Sequence, residues 1–182
     1  MLAMSRGFSL IELLVVLSIA AVLIALAAPD MRELIKRRRL DSAVTDLYGA
    51  IDLARAQAIA RGSRVQLVPL EPAGANWSAG WVVFVDANGD RRPGPAEEVI
   101  ASHGPLAEGI VISFNFTSNK LPYYIAYNGA GRSCSDATSM AARWGTLSLH
   151  QDGQIRRIRI NMLGRARVCN PEREPETCAG PE

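Results

Sequence analysis

The sequence predicts an α+β chain, a long N-terminal helix laid against a head of antiparallel strands, and three observations predict it. An apolar run from Leu10 to Ala28 is broken only by Glu12 and Ser18. Beyond Pro29, apolar residues recur at spacings of three and four until Arg61-Gly62, the pattern of one helical face. After Gly62 the pattern changes to short β-type runs separated by turn dipeptides. A chain of 182 residues has room for one globular head besides the apolar segment.

The apolar run is long enough, at ~1.5 Å per residue, to cross a hydrocarbon core of ~30 Å. Glu12 sits at its head, where an intramembrane carboxylate costs on the order of 2.5 to 3.5 kcal/mol and therefore requires a cation. The helix is expected from Ser9 to about Arg61, interrupted or kinked at Pro29, whose ring removes a backbone donor and crowds the preceding turn. Met31, Leu34, Ile35, Val44, Leu47, Tyr48, Ile51, Ala54 and Ala58 form the apolar stripe that packs on the sheet. Gly62 is a natural residue to follow the last turn, with Arg61 at the negative end of the helix dipole.

Eight strand-like runs follow: RVQLV, GWVVFVD, EEVIAS, GIVISFNF, YYIAY, GTLSLH, QIRRIRI and ARVC. Asn88-Gly89, Asn128-Gly129 and Asp152-Gly153 are the turn signals between them.

The formal net charge is only +2, but Arg132 to Arg173 holds eight arginines and no lysine. In QIRRIRI, Arg157 and Arg159 point to one face of a strand and Ile158 and Ile160 to the other, so the arginines are expected to stand exposed in a row. Gly164 offers a tight turn, and Arg165 and Arg167 again share a side. Guanidinium groups so spaced suit phosphates, which they grip as bidentate forks. The opposing reading is a solvated, arginine-rich strand edge. The run Lys36 to Arg39 fits either anionic headgroups or a solvated stretch of helix.

Other chemistry is thin. His103 and His150 are isolated, and no nucleophile elbow, phosphate loop or Cys/His pairing is present, so we expect no enzyme, no cofactor and no small-molecule substrate. Cys134, Cys169 and Cys178 lack the spacing of a zinc site. Asp86, Asn88, Asp90 and Glu97 fall on the first, third, fifth and twelfth places of a calcium-loop template, but Arg91 takes the place of its glycine and Arg92 follows, which favours a plain hairpin and no metal.

The opening SRGFSLIELL carries a resemblance. Gly7, Phe8, Ser9, Leu10, Ile11 and Glu12 match the prepilin pattern of type IV pilins and pseudopilins. The resemblance implies that a prepilin peptidase removes the leader 1–7 after Gly7 and methylates Phe8. It also implies that Glu12 pairs with the N-terminal amine of a neighbouring pilin subunit, which supplies the missing cation. Residues 8–29 would form the transmembrane and filament-core helix, 30–62 its amphipathic half and 63–182 the β-rich head. The chain would lie in the inner membrane as a single pass with a periplasmic head, and reach the pilus after assembly.

The order of long helix, RG stop, Trp77, GWVVFVD and terminal GRARVC is similar to the FimT/GspH group of minor pilins. Members resembling FimT carry Gly-Arg-x-Arg near the C-terminus in association with DNA binding, which implies a double-stranded DNA site at Gly164, Arg165 and Arg167 for natural transformation, and the strand arginines Arg157 and Arg159 are expected to help. Three pairings of the cysteines are open, with Cys134 to Cys169 the rival of Cys169 to Cys178. The latter is favoured as close in sequence and as resembling the closed C-terminal loop of many pilins. The alternatives to DNA capture are a structural minor pilin priming assembly and a minor pseudopilin of type II secretion.

Overall fold

The computed structural model describes residues 9–178, the side chains of residues 25–30 excepted. The chain divides into two compact units, one ending at Arg38 and one beginning at Arg39. Helix α1, Leu10–Arg61, belongs to both.

In the first unit the hydroxyl of Ser9 accepts from the Glu12 amide at 3.2 Å, and the Ser9 carbonyl accepts from the amides of Glu12 and Leu13. Ser9 thus caps α1 and places Glu12 in the first turn, where the helix dipole favours a negative charge. Of the interruption or kink that the sequence predicts at Pro29, the interruption does not occur, since α1 runs through it unbroken. A missing amide donor removes one hydrogen bond while the turns on either side stay bonded. The large apolar side chains from Leu10 to Ile24 are all more than half exposed. Among the described residues no helix is long and apolar enough to cross a membrane.

The second unit begins where α1 acquires a buried face. Leu40, Ala43, Val44, Leu47, Ile51, Ala54 and Ala58 are all buried. The stripe therefore starts at Leu40, whereas Met31, Leu34 and Ile35, which the sequence adds to it, are exposed. This part of α1 belongs to the head's core, so the compact unit starts well before residue 63. Gly62, at φ +60°, donates to Ile59, and Ser63 donates to Ala58, which satisfies two of the last carbonyls and stops the helix.

All eight predicted runs form strands: β1 Val65–Pro69, β2 Trp81–Phe84, β3 Val99–His103, β4 Val111–Phe116, β5 Ile125–Tyr127, β6 Gly145–Gln151, β7 Gln154–Ile160 and β8 Ala166–Cys169. They form two four-stranded antiparallel sheets, ordered β3-β2-β1-β5 and β4-β6-β7-β8. Leu67 and Val83 from the first, and Leu147, Leu149, Ile158 and Ile160 from the second, share one core with the buried face of α1.

The hairpin β6–β7 closes through Asp152 and Gly153, at φ +47° and +82°, the two left-handed positions of a type I′ turn. Asn88-Gly89 makes no such hairpin. It lies in the long loop between Phe84 and Val99, folded around its own carboxylates.

Candidate nucleic-acid interface

The site is built on the second sheet. Alternation along β7 buries Ile158 and Ile160 beneath it and sends Arg157 and Arg159 to the outer face. Antiparallel register sets Thr146 of β6, Arg159 of β7 and Arg167 of β8 in one cross-strand row, with Ser148, Arg157 and Cys169 in the next but one.

The turn from β7 to β8 is held by Asn161. Its carbonyl oxygen Oδ1 accepts from the amides of Leu163 at 3.0 Å and Arg165 at 2.9 Å, while its main chain bonds Arg165 and Gly164. Gly164 has φ +79°, and a Cβ there would lie 2.4 Å from the Gly131 carbonyl oxygen. Glycine is therefore required both by conformation and by space. The turn projects Arg165 outward, and among the described residues its guanidinium has no hydrogen bond or ion pair.

The C-terminal tail covers part of the arginine row. Cys169 and Cys178 are bonded, with Cα atoms 5.8 Å apart. The loop they close folds back over the outer face of β7 and β8. Arg157 Nη1 donates to the Cys178 carbonyl at 2.8 Å, Arg159 Nη1 to the Thr177 carbonyl at 2.5 Å, and Arg167 Nη2 to the Thr177 hydroxyl at 3.1 Å. Arg167 is also ion-paired with Glu174. The expectation of an exposed row fails at Arg157, which is only 5% exposed. Strand alternation assigns a face but says nothing of a distal segment that returns to cover it.

Arg159, Arg165 and Arg167 instead line one cleft of about 740 Å³, together with Tyr48, Trp144 and Thr146, and among the described residues no acidic one lines it. Trp144 precedes β6 and is 43% exposed, whereas Trp77 and Trp81 are buried. Its neighbour Arg143 is buried with its guanidinium 3.7 Å over the Tyr124 ring, beside Phe114 and Phe116. Arg143 donates to the carbonyls of Tyr124 and Ser118, both at 2.5 Å, and burial pulls its pKa below the ordinary arginine value. Trp144, Tyr48 and Asn161 were not candidates from sequence. Only the pairing of β6 with β7 brings Trp144 beside the arginines, and that pairing is not local.

Elsewhere, carboxylate oxygens of Asp86, Asp90 and Glu97 lie within 4.8 Å of one another. Backbone amides occupy them: Asp86 accepts from Gly89 and Arg91, Asp90 from Arg92, and Glu97 from Ala87, Asn88 and Gly94. Arg91 and Arg92 do not enter this cage, as the sequence template has them do. Their guanidinium groups turn to Asp136 and to the carbonyls of Glu71 and Pro72. Glu12 is exposed on the first turn of α1, and Gly7 and Phe8 lie outside the described residues.

Residues 43–164 match the family model described as Type II transport protein GspH, and residues 2–28 match the prokaryotic N-terminal methylation motif. The pilin-like protein PilA1 of Thermus thermophilus is 35% identical over 166 residues, which are 90% of this chain and 97% of that protein. The minor pilin FimU of Pseudomonas aeruginosa superposes with a TM-score of 0.57 at 18% identity, covering 75% of this chain and 92% of FimU. The minor pseudopilin EpsH of the Vibrio cholerae type 2 secretion system gives 0.51 at 14% identity, over 73% and 98% of the two chains. Those two structures show the fold, a long N-terminal helix with an antiparallel head. With the family model covering most of the head and the methylation motif at its start, the chain belongs to the GspH family and is a minor type IV pilin or pseudopilin.

Proposed function

We propose that this chain is a non-enzymatic minor pilin that joins a pilus and captures double-stranded DNA for natural transformation. Prepilin peptidase removes residues 1–7 after Gly7 and methylates Phe8. Residues 8–29 anchor the subunit in the inner membrane with its head in the periplasm, and Glu12 pairs with the terminal amine of an adjacent pilin subunit. The exposed apolar surface of α1 from Leu10 to Ile24 supports this, because a helix apolar on all sides is stable only among lipids or other helices.

One observation carries the DNA reading: Arg159, Arg165 and Arg167 line a single cleft with no acidic residue among its described lining, Glu174 reaching Arg167 from the tail. Gly164 and Asn161 position Arg165, and Arg157 is left out because the tail covers it. Such a site binds phosphates without reading sequence, so its affinity depends steeply on salt. The test is a salt titration of duplex binding by the full chain in detergent. Each phosphate contact contributes roughly 0.9 to the slope of log affinity against log salt, so three arginines give a slope of about −2.7. Replacing Arg165 and Arg167 by Gln flattens it. No binding at low salt, or a double variant that binds as well as the parent, overturns DNA capture.

The family description and the likeness to EpsH favour one second reading, a minor pseudopilin of type II secretion. Co-purification with secretion-system subunits and a parent chain that ignores DNA would establish it instead.

A further inference from the structure

Phosphate binding accounts for the three arginines but not for the aromatic side chain beside them. Trp144 lines the same cleft and is 43% exposed, while Trp77 and Trp81 are buried at 0% and 2%. A large aromatic ring left partly in water in the wall of a cleft that arginines also line offers an apolar face beside anion-binding groups. That combination is how single-stranded nucleic acid is held, with the backbone on guanidinium groups and a base stacked on the ring. A volume of about 740 Å³ is far larger than one phosphate needs and falls within the range of small-molecule pockets.

We propose that the cleft takes an unstacked nucleobase against Trp144, with the adjoining phosphates on Arg159, Arg165 and Arg167. The protein then prefers single-stranded stretches or frayed ends to continuous duplex. The proposal rests on the DNA reading above and adds a specificity residue to it. In intact duplex both faces of each base are covered by neighbours, so only an unpaired base can offer one to the indole. Recognition is independent of sequence, because every base has such a face and the Asn161 Oδ1 acceptor is already spent on the turn. Trp144 needs little rearrangement, since its carbonyl accepts from the Thr117 amide at 2.9 Å and Arg143 before it is buried.

The test uses the full chain in detergent, titrated at low salt with an oligothymidylate and with a blunt duplex of equal phosphate number closed by G·C pairs at both ends, read by tryptophan fluorescence and by anisotropy of the labelled DNA. We expect the oligothymidylate to quench the emission of the accessible Trp144 and to bind roughly tenfold more tightly than the duplex. Trp144→Leu abolishes the quenching and the preference while leaving the salt slope in place, and Trp144→Phe keeps most of the preference. If both DNAs bind alike, with the expected salt slope and no quenching, the stacking proposal is wrong and DNA capture stands. If neither binds at low salt, both readings fall. The parent's quenching needs no variant, so poor folding of Trp144→Leu does not blunt the result.

Discussion

Arg159 and Arg167 stand directly opposite each other on β7 and β8, and both donate to the same residue, Thr177, one to its carbonyl and the other to its hydroxyl. Like charges placed so are destabilising. The tail offsets that repulsion with oxygen acceptors and with the carboxylate of Glu174, which is ion-paired with Arg167. These are the acceptors that a phosphate would offer, so on the proposed function the tail would compete with DNA for Arg167.

Glu174→Gln therefore strengthens DNA binding. The pair is about half exposed on both sides, so its loss costs at most ~1 kcal/mol of stability and barely moves the melting temperature. The expected gain in affinity is a few-fold at low salt, read by anisotropy. An unchanged or weaker affinity would show that Arg167 does not meet phosphate.

Replacing Cys169 and Cys178 by Ser releases the tail. Loop closure over nine residues of separation accounts for roughly 2 to 3 kcal/mol, and Arg157, buried under the tail, loses its carbonyl partner. We expect a clear drop in melting temperature and new proteolytic cuts after Arg157 or Arg173. Equal stability would mean that the tail is not what shields this face.

Gly164→Ala and Gly153→Ala separate space from conformation. Both glycines have positive φ, but a Cβ at 153 meets nothing within 4 Å whereas one at 164 strikes the main chain of Gly131 and Ser133. The change at 153 should cost ~1 kcal/mol and leave DNA binding intact. At 164 the cost should be several times larger and affinity should fall, because the turn that aims Arg165 must move. Thermal melts and anisotropy on both variants decide it.

Asp136 ties three segments together: it accepts from the Tyr124 hydroxyl at 2.7 Å and is ion-paired with Arg91. Burial alone would raise its pKa, yet these donors prevail and hold the carboxyl below the usual aspartate value. A depressed carboxylate contributes stability above its unfolded pKa of about 3.9, and that contribution is lost as pH falls through the lower folded value. Asp136→Asn should thus melt earlier than the parent at pH 7, with the difference shrinking below about pH 4. A gap that persists in acid would point to packing instead.

Glu12→Leu removes a costly charge from the apolar run, so membrane fractionation should show insertion retained or improved. Immunoblots of sheared filaments should show incorporation lost. Normal incorporation would rule out the proposed pairing with a neighbour's amine.

Legibility followed range along the chain. The strand runs, the Gly62 stop and the Asp152-Gly153 turn are encoded in a few adjacent residues, and all three could be seen in the amino-acid order. Sorting the strands into two sheets, the burial of Arg157 under residues far along the chain, and the meeting of Trp144 with Arg165 depend on pairings that no local pattern specifies. Leu40 was missed for a different reason. The arginines before it and Asp41 after it disguise the point where the apolar stripe acquires a partner.

The buried guanidinium of Arg143 bears on the thermodynamics of the proposed capture. Clamped between two carbonyls and an aromatic face, it denies the main chain at Trp144 the freedom that a loop ordinarily has at a binding site. A ligand arriving there immobilises little more than one indole, at roughly 0.5 to 1.5 kcal/mol of rotamer entropy, instead of a whole segment. The interior of the head thus bears in advance an ordering cost that such an encounter would otherwise meet.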